Sequence, residues 1–415
     1  MTDNGKEVIC SRINDMTHTF YEGGFRPNIT FYLILSRACN GECTYCYQDK
    51  SFRTEDTMTK KILDDTVRFA VSKFKENEII FYFFGGEPTL NWDLITYALE
   101  EYPQLKFHMA TNGILLAGSE EKRRFVKKHS YHLSLSVSVE PLIRMFGPDY
   151  FMEKARPLLD LLVGINADTH MVMEDTDEWF ERLFTEQLEM GIKRVRVSTV
   201  KGTPKLNDKI AEVSEIMCRL IDYIYFNGEP RFGRSSFDYY FMSNITNKMI
   251  GREVKDVPPT LCGAGYSYIA VDTQGDLYPC DMFASLKALK MGTIYDGFDM
   301  TSSVFLQKDE WRDEIYADCT NCKVVEDFRL CPRAMCLAEN FQQHGSPFKP
   351  ADNHCKLNMV DVVINEYLIK KSIETGQIKR FTKMAQDWHR INMGKEKERD
   401  RHGLEERFGL QGKDL

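Results

Sequence analysis

The sequence predicts an α/β protein: a partial (β/α)6 parallel barrel, then a small cysteine-rich domain (a β-hairpin plus loops) and C-terminal helices. Three observations carry this reading. Strand-like and helix-like stretches alternate through the first half, the pattern of repeated βα units on a parallel sheet. Six such units rather than eight leave a barrel incomplete. The 12 cysteines are unevenly spread, with three between Cys39 and Cys46 and seven between Cys262 and Cys355.

The expected strands are Phe31–Ser36, Glu78–Phe84, Leu105–Thr111, His132–Val139, Asp168–Met173 and Lys193–Thr199, all short and rich in β-branched and aromatic residues. Helical stretches lie between them. In TMTKKILDDTVRFAVSKFK, Thr57 or Thr59 can cap the helix, and Ile62, Val67, Phe69 and Ala70 share a face. MEKARPLLDLLV, EWFERLFTEQLEMG and KIAEVSEIMCRLIDYIYF continue the pattern. From about residue 227 to 260 the period is lost among Gly, Pro and Ser, which marks a bridging region. YSYIAVDTQGDLYPC then reads as a hairpin turning at Thr273-Gln274-Gly275-Asp276. The divisions expected are 1–30 as an N-terminal extension, 31–226 as the barrel, 227–260 as the bridge, 261–356 as the cysteine-rich domain, and 357–415 as helices with a charged tail.

Composition excludes several classes. Of 415 residues 43% are apolar, enough for a large core, and the net charge of −8 disfavours nucleic acid or anionic membrane as a partner. No signal peptide precedes the barrel, and no apolar run approaches the roughly 18 residues of a spanning helix, so the chain reads as cytoplasmic. There is no H-E-x-x-H pair and no Walker-type phosphate loop. In a reducing compartment, clustered cysteines bind metal more often than they form disulfides. Cys10 and Cys218 stand alone and read as plain thiols.

Cys39-Asn-Gly-Glu-Cys43-Thr-Tyr-Cys46 follows the first strand directly. Three thiolates on one tight loop can grip three irons of a 4Fe–4S cluster and leave the fourth without a protein ligand. Zinc is the alternative, but zinc sites usually close with four ligands. Three further motifs end strands two to four: FFGGEPTL (Phe83–Leu90), ATNG (Ala110–Gly113) and SVSVEP (Ser136–Pro141). Such strand ends are where parallel barrels bind ligands. Gly85 and Gly86 would let backbone approach a ligand closely, and Glu87 offers an anionic acceptor to an ammonium group.

With this ordered set the sequence resembles the radical S-adenosylmethionine (SAM) enzymes. The resemblance implies a cluster on Cys39, Cys43 and Cys46 that chelates SAM and cleaves it reductively to a 5′-deoxyadenosyl radical. It places Tyr45 beside the adenine, Gly85, Gly86, Glu87 and Pro88 at the methionine amino group, Thr111 and Asn112 at the end of the third strand, and Ser138 (or else Ser136) at the ribose or carboxylate. The family usually has Asp where Glu140 stands.

The late cysteines, with the stretch CGAGYSYIAVDTQGDLYPCDMF and GTIYDG (Gly292–Gly297), resemble the SPASM extension of these enzymes, which carries two auxiliary 4Fe–4S clusters. Position by position, the resemblance puts Cys262, Cys280 and Cys336 on the nearer cluster and Cys319, Cys322, Cys331 and Cys355 on the farther, with Cys331 and Cys336 exchangeable. Seven cysteines divide as four plus three, so one auxiliary iron is open to a substrate thiolate; the alternatives are that Cys218, an Asp or water fills it, or that the region holds two zincs.

What the resemblance implies about chemistry is a maturase of ribosomally made peptides, which forms a thioether between a cysteine sulfur and a peptide carbon. Other carbon–carbon crosslinking or epimerisation is second. Formylglycine formation is third: sulfatase-maturing relatives carry a catalytic Asp at the position of Asp281, otherwise a hydrogen-bonding residue at a strand end. The expected partners are a precursor peptide and a flavodoxin- or ferredoxin-type reductant. Only 38 residues precede Cys39, too few for a leader-recognition domain, so leader binding falls to the bridge, the C-terminal helices or another protein. Tyr239-Tyr240-Phe241-Met242 reads as a peptide groove or as buried core. A non-enzymatic iron–sulfur carrier or zinc scaffold would not need the strand-end motifs.

Overall fold

The computed structural model describes residues 29–48, 53–199, 208–228, 264–265, 268–298, 336–347, 349–381 and 383. The strands are β1 (Ile29–Ser36), β2 (Ile79–Gly85), β3 (Lys106–Thr111), β4 (Leu133–Ser138), β5 (Asp168–Met173), β6 (Arg194–Thr199), β7 (Tyr268–Val271), β8 (Asp276–Tyr278), β9 (Gly292–Thr293) and β10 (Gly297–Phe298). They form one sheet in the order β10-β9-β8-β7-β1-β2-β3-β4-β5-β6. Strands β1 to β6 run parallel in sequence order, as the six βα units require.

The helices are α1 (Lys60–Lys73), α2 (Trp92–Glu101), α3 (Ile114–Gly118), α4 (Glu120–Lys128), α5 (Glu140–Phe146), α6 (Phe151–Lys154), α7 (Arg156–Gly164), α8 (Trp179–Met190), α9 (Ile210–Ile221), α10 (Asp281–Leu286), α11 (Leu337–His344) and α12 (Asp352–Glu374). Of the two candidate caps for α1, Thr59 is the one used: its side chain accepts from the Ile62 N–H at 3.3 Å. No helix among the described residues is long and apolar enough to cross a membrane.

Side-chain alternation along each strand sorts the two faces. Phe31, Leu33 and Leu35 of β1, Phe81 and Phe83 of β2, and Phe107 and Met109 of β3 join Leu63, Val67, Ala70, Ile95 and Leu99 of the helices in one buried core. Each such side chain contributes about 1.5–3 kcal/mol on burial. The other face is polar and aromatic: Tyr32 stacks on Tyr82 at 4.7 Å, Tyr82 lies 4.3 Å from His108, and Asp168 accepts from Arg196 at 2.9 Å.

The late hairpin forms where the alternation places it, and it is built into the barrel sheet: β7 lies parallel to β1 from Thr30–Tyr268 to Leu33–Val271. The turn is held by Asp272, whose Oδ1 accepts from the Gln274 and Asp276 N–H groups, while Gly275 takes φ +86°. The same carboxylate meets Arg37 at 2.9 Å in an ion pair with both side chains 4% exposed. At the far side of the sheet, α12 packs on α9, where Tyr367 and Lys371 reach Asp222 just beyond α9. Of the bridge expected over 227–260, residues 229–260, and Tyr239–Met242 with them, lie outside the described residues.

Candidate active site: the cysteine loop and its strand ends

Chain connectivity puts Cys39, Cys43 and Cys46 on an irregular loop leaving β1, beside the ends of β2 and β3. The loop is short-tethered: the Cys46 N–H donates to the Cys43 carbonyl at 3.3 Å, and the Gly41 N–H meets the Cys39 sulfur at 3.3 Å. Burial pushes the Cys39 thiol up and the Cys43 thiol up to about 11, each within electrostatic reach of the others. The Arg53 guanidinium stands by all three sulfurs and donates to the Gly41 carbonyl at 3.2 Å.

Three half-buried thiols with one cation beside them fit a 4Fe–4S cluster with one iron free of protein ligands. Among the described residues no group of three His, Cys, Asp or Glu side chains converges closely enough to hold a single metal ion.

The GGEP motif is tied closely into the strand ends around it. Its glycines serve the chain's own backbone: a Cβ on Gly85 would lie 2.2 Å from the Ser36 carbonyl oxygen, and one on Gly86 2.3 Å from that of Ala38. The Gly86 and Glu87 N–H groups donate to those two carbonyls at 2.8 and 2.9 Å. The Glu87 carboxylate, 1% exposed, is likewise occupied. Its oxygens accept from the Thr89 N–H (3.1 Å), the Thr89 hydroxyl (2.5 Å), the Thr111 hydroxyl (2.6 Å) and the Asn112 N–H (2.8 Å). Three donors meet Oε1 and one meets Oε2, so Glu87 knits β2 to β3. Pro88 is buried in the turn that follows.

Thr111 and Asn112 are scaffolding in the same sense. The Thr111 hydroxyl accepts from the Gly113 N–H, and the Asn112 side chain accepts from the Ile114 N–H at 3.0 Å, where α3 begins. Its amide also donates to Asn40 of the cysteine loop at 2.8 Å. Ser136 is buried within β4, and the half-buried Ser138 ends that strand.

Beyond the loop opens a cavity of about 470 Å³ lined by Thr44, Tyr45, Glu140, Arg144, Val172 and Trp179, among others. Glu140, 4% exposed, accepts from the Tyr45 hydroxyl at 3.2 Å and from the Val172 N–H. The latter extends the β4–β5 ladder past its last backbone rung, Val139 N–H to His170 carbonyl. Burial pushes the Glu140 carboxyl up to about 7.

Asp281 opens α10 and accepts a short hydrogen bond from the Tyr47 hydroxyl, next in sequence to Cys46. Cys280 and Cys336 pack on one small core with Met282, Phe283 and Leu337, against which Tyr32 and Tyr47 also lie; the Cys336 sulfur is 3.6 Å from that of Met282. Cys262, Cys319, Cys322 and Cys331 lie outside the described residues, as does the side chain of Cys355.

Sequence reasoning missed Arg37, Thr44, Tyr47, Gln48, Arg53, Arg144 and Glu174. Gln48 is buried and donates to the Gly85 carbonyl at 2.8 Å. The nearness of Arg37, Thr44, Tyr47 and Gln48 to the cysteines in sequence was a usable signal; nothing local marked Arg53, Arg144 or Glu174.

A parallel sheet with a three-cysteine loop at the end of β1 is the arrangement that the resemblance to radical SAM enzymes implies. Residues 33–185 match the family model of the radical SAM superfamily, so the chain carries a radical SAM domain and is an enzyme. It is 23% identical over 324 residues to the radical SAM cyclopropyl synthase TigE of Paramaledivibacter caminithermalis, covering 65% of this chain and 66% of that one. It is 22% identical over 333 residues to the cysteine-type anaerobic sulfatase-maturating enzyme of Clostridium perfringens, covering 71% and 85%. In fold it is similar to anSMEcpe with bound AdoMet (TM-score 0.60, 18% identity, 87% of this chain and 100% of that chain). It is also similar to Streptococcus suis SuiB bound to precursor peptide SuiA (TM-score 0.51, 16% identity, 86% and 82%).

Proposed function

We propose that this enzyme is a peptide maturase that joins a cysteine sulfur to a carbon of a ribosomally made precursor peptide. The observation that carries the reading is the adjacency of two cysteine sites: Cys280 and Cys336 share a core with Tyr47, the residue after Cys46. Bound at Cys39, Cys43 and Cys46, a 4Fe–4S cluster with SAM supplies one-electron chemistry able to take hydrogen from an unactivated carbon. Cys262, Cys280 and Cys336, and Cys319, Cys322, Cys331 and Cys355, would hold two auxiliary clusters.

The chain's own groups have definable tasks. Glu87, Thr111 and Asn112 fix the strand ends under the cysteine loop. Tyr45, Glu140 and Val172 wall a cavity sized for the nucleoside end of SAM, with Ser138 at the β4 end beside it. Asp281, oriented by Tyr47, is placed to accept a proton from a substrate thiol. Joining C–H to S–H removes two hydrogens from the peptide, one as an atom from carbon and one as a proton from sulfur. The surplus electron needs an acceptor besides SAM, and the late cysteines are the groups suited to hold one.

Likeness to a cyclopropyl synthase supports carbon–carbon bond formation as the second reading. Likeness to a sulfatase-maturating enzyme, with Asp281, supports formylglycine formation as the third. The test is mass spectrometry of a candidate precursor peptide co-expressed with the enzyme. Loss of two hydrogens with loss of the free thiol supports the thioether; loss of two hydrogens with the thiol retained supports carbon–carbon bonding. Exchange of sulfur for oxygen, or loss of two hydrogens with an aldehyde that a hydrazide captures, supports formylglycine.

A further inference from the structure

The two residues between the second and third cysteines, Thr44 and Tyr45, are each tied to a glutamate at the far wall of the cavity. The Thr44 hydroxyl donates to Glu174 Oε1 at 2.5 Å, and Arg144 bonds both the Thr44 oxygen, at 3.1 Å, and the other oxygen of Glu174. The Tyr45 hydroxyl donates to Glu140 Oε2 at 3.2 Å, while Glu140 Oε1 takes the Val172 N–H. Glu174 follows β5 directly and Val172 lies in it, so both ties converge on the end of β5. The tethered segment is otherwise irregular, closed by a single 3.3 Å turn bond from Cys46 to Cys43. Backbone alone does not fix such a loop; side-chain bonds across the cavity do.

We infer that Glu140 and Glu174 are positioning residues that latch the cysteine loop to β5 and so set where Cys43 and Cys46 stand relative to SAM in the cavity. The inference rests on the reading of this loop as the cluster and SAM site. Side-chain length is what lets Glu140 work: it bridges Tyr45 on one side and the β5 backbone on the other. An aspartate is one methylene shorter and gives up one of those contacts. Glu174 is the more accessible latch, with its side chain 18% exposed, and altering it tests the same idea with less burden on the core.

The variants are Glu140→Asp, Tyr45→Phe, Glu174→Gln and Thr44→Val, each in the full chain reconstituted anaerobically. Iron content, the electron paramagnetic resonance spectrum of the reduced enzyme with and without SAM, and KM and kcat for SAM cleavage are measured. Latches that position rather than build the site leave iron content and the SAM-free spectrum as in the wild type. The SAM-bound spectrum shifts, and KM for SAM rises about tenfold, the scale of one lost charge-assisted hydrogen bond. Tyr45→Phe combined with Glu140→Asp, and Thr44→Val with Glu174→Gln, are each no worse than the stronger single change. Wild-type KM and spectra in all four variants, strict additivity in both pairs, or loss of iron in place of a KM effect overturns the inference. Wild-type protein that holds no iron or cleaves no SAM removes the reading of the site itself, a distinct failure.

Discussion

The Tyr47 hydroxyl donates to the Asp281 carboxylate across 234 residues of sequence, joining the cysteine loop of the barrel to the first turn of α10. With the buried Arg37–Asp272 pair, this contact holds the late hairpin to the end of β1. The cysteine loop and the core that holds Cys280 and Cys336 are therefore parts of one packed unit.

Tyr47→Phe removes the donor and leaves the carboxylate short of one partner. The expected loss is about 1–3 kcal/mol of unfolding free energy, read by denaturant titration under argon. Peptide modification slows while SAM cleavage without peptide persists. Equal loss of both activities would contradict the assignment of Asp281 to the peptide step.

Glu87→Gln tests the structural role of the GGEP glutamate. An amide presents donors to at least one of the four groups that now donate to Glu87, and the expected destabilisation is about 1.5–3 kcal/mol. Unchanged stability with loss of SAM binding would return Glu87 to a direct ligand contact.

Gly86→Ala forces a Cβ into the Ala38 carbonyl oxygen at 2.3 Å and that of Arg37 at 2.7 Å, so the lead-in to the cysteine loop must move. Reconstituted iron is expected to fall by about the four atoms of one cluster, with the barrel still folded by circular dichroism. Full iron content would contradict the close approach seen here.

His108 gives a pH dependence with a definite sign. Burial pulls its pKa down to about 4 from 6.5, with Arg196 adding to the effect. A lowered histidine contributes stability above its unfolded pKa that is lost as pH falls through the folded one. Unfolding free energy should therefore decline between about pH 6.5 and 4, and His108→Gln should flatten part of that decline in denaturant titrations. An identical pH profile in the variant would contradict a buried neutral ring.

The sequence made the six parallel strands legible because their apolar runs are short, β-rich and evenly spaced between amphipathic stretches. Thr59 as a cap and the Gly275 turn were equally local. What local pattern could not carry was partnership at a distance. Glu87 looked like a free anion because two of its three donor residues, Thr111 and Asn112, become neighbours only when β2 and β3 pair. Glu140 stands where the family usually has Asp, and its contacts to Tyr45 and Val172 exist only once β4, β5 and the cysteine loop are assembled. The hairpin was legible, but its register against β1 was not, since parallel pairing across more than 230 residues leaves no sequence period to read.

The central claim is that the β1 loop holds a cluster for radical SAM chemistry, with two more clusters on the late cysteines. Its most direct test is anaerobic reconstitution of the wild type and of Cys39→Ala/Cys43→Ala/Cys46→Ala, with iron, sulfide and reductive SAM cleavage measured in both. About twelve irons falling to about eight, with cleavage abolished, is the expected result. Zinc in place of iron, or cleavage that survives the triple change, would contradict it.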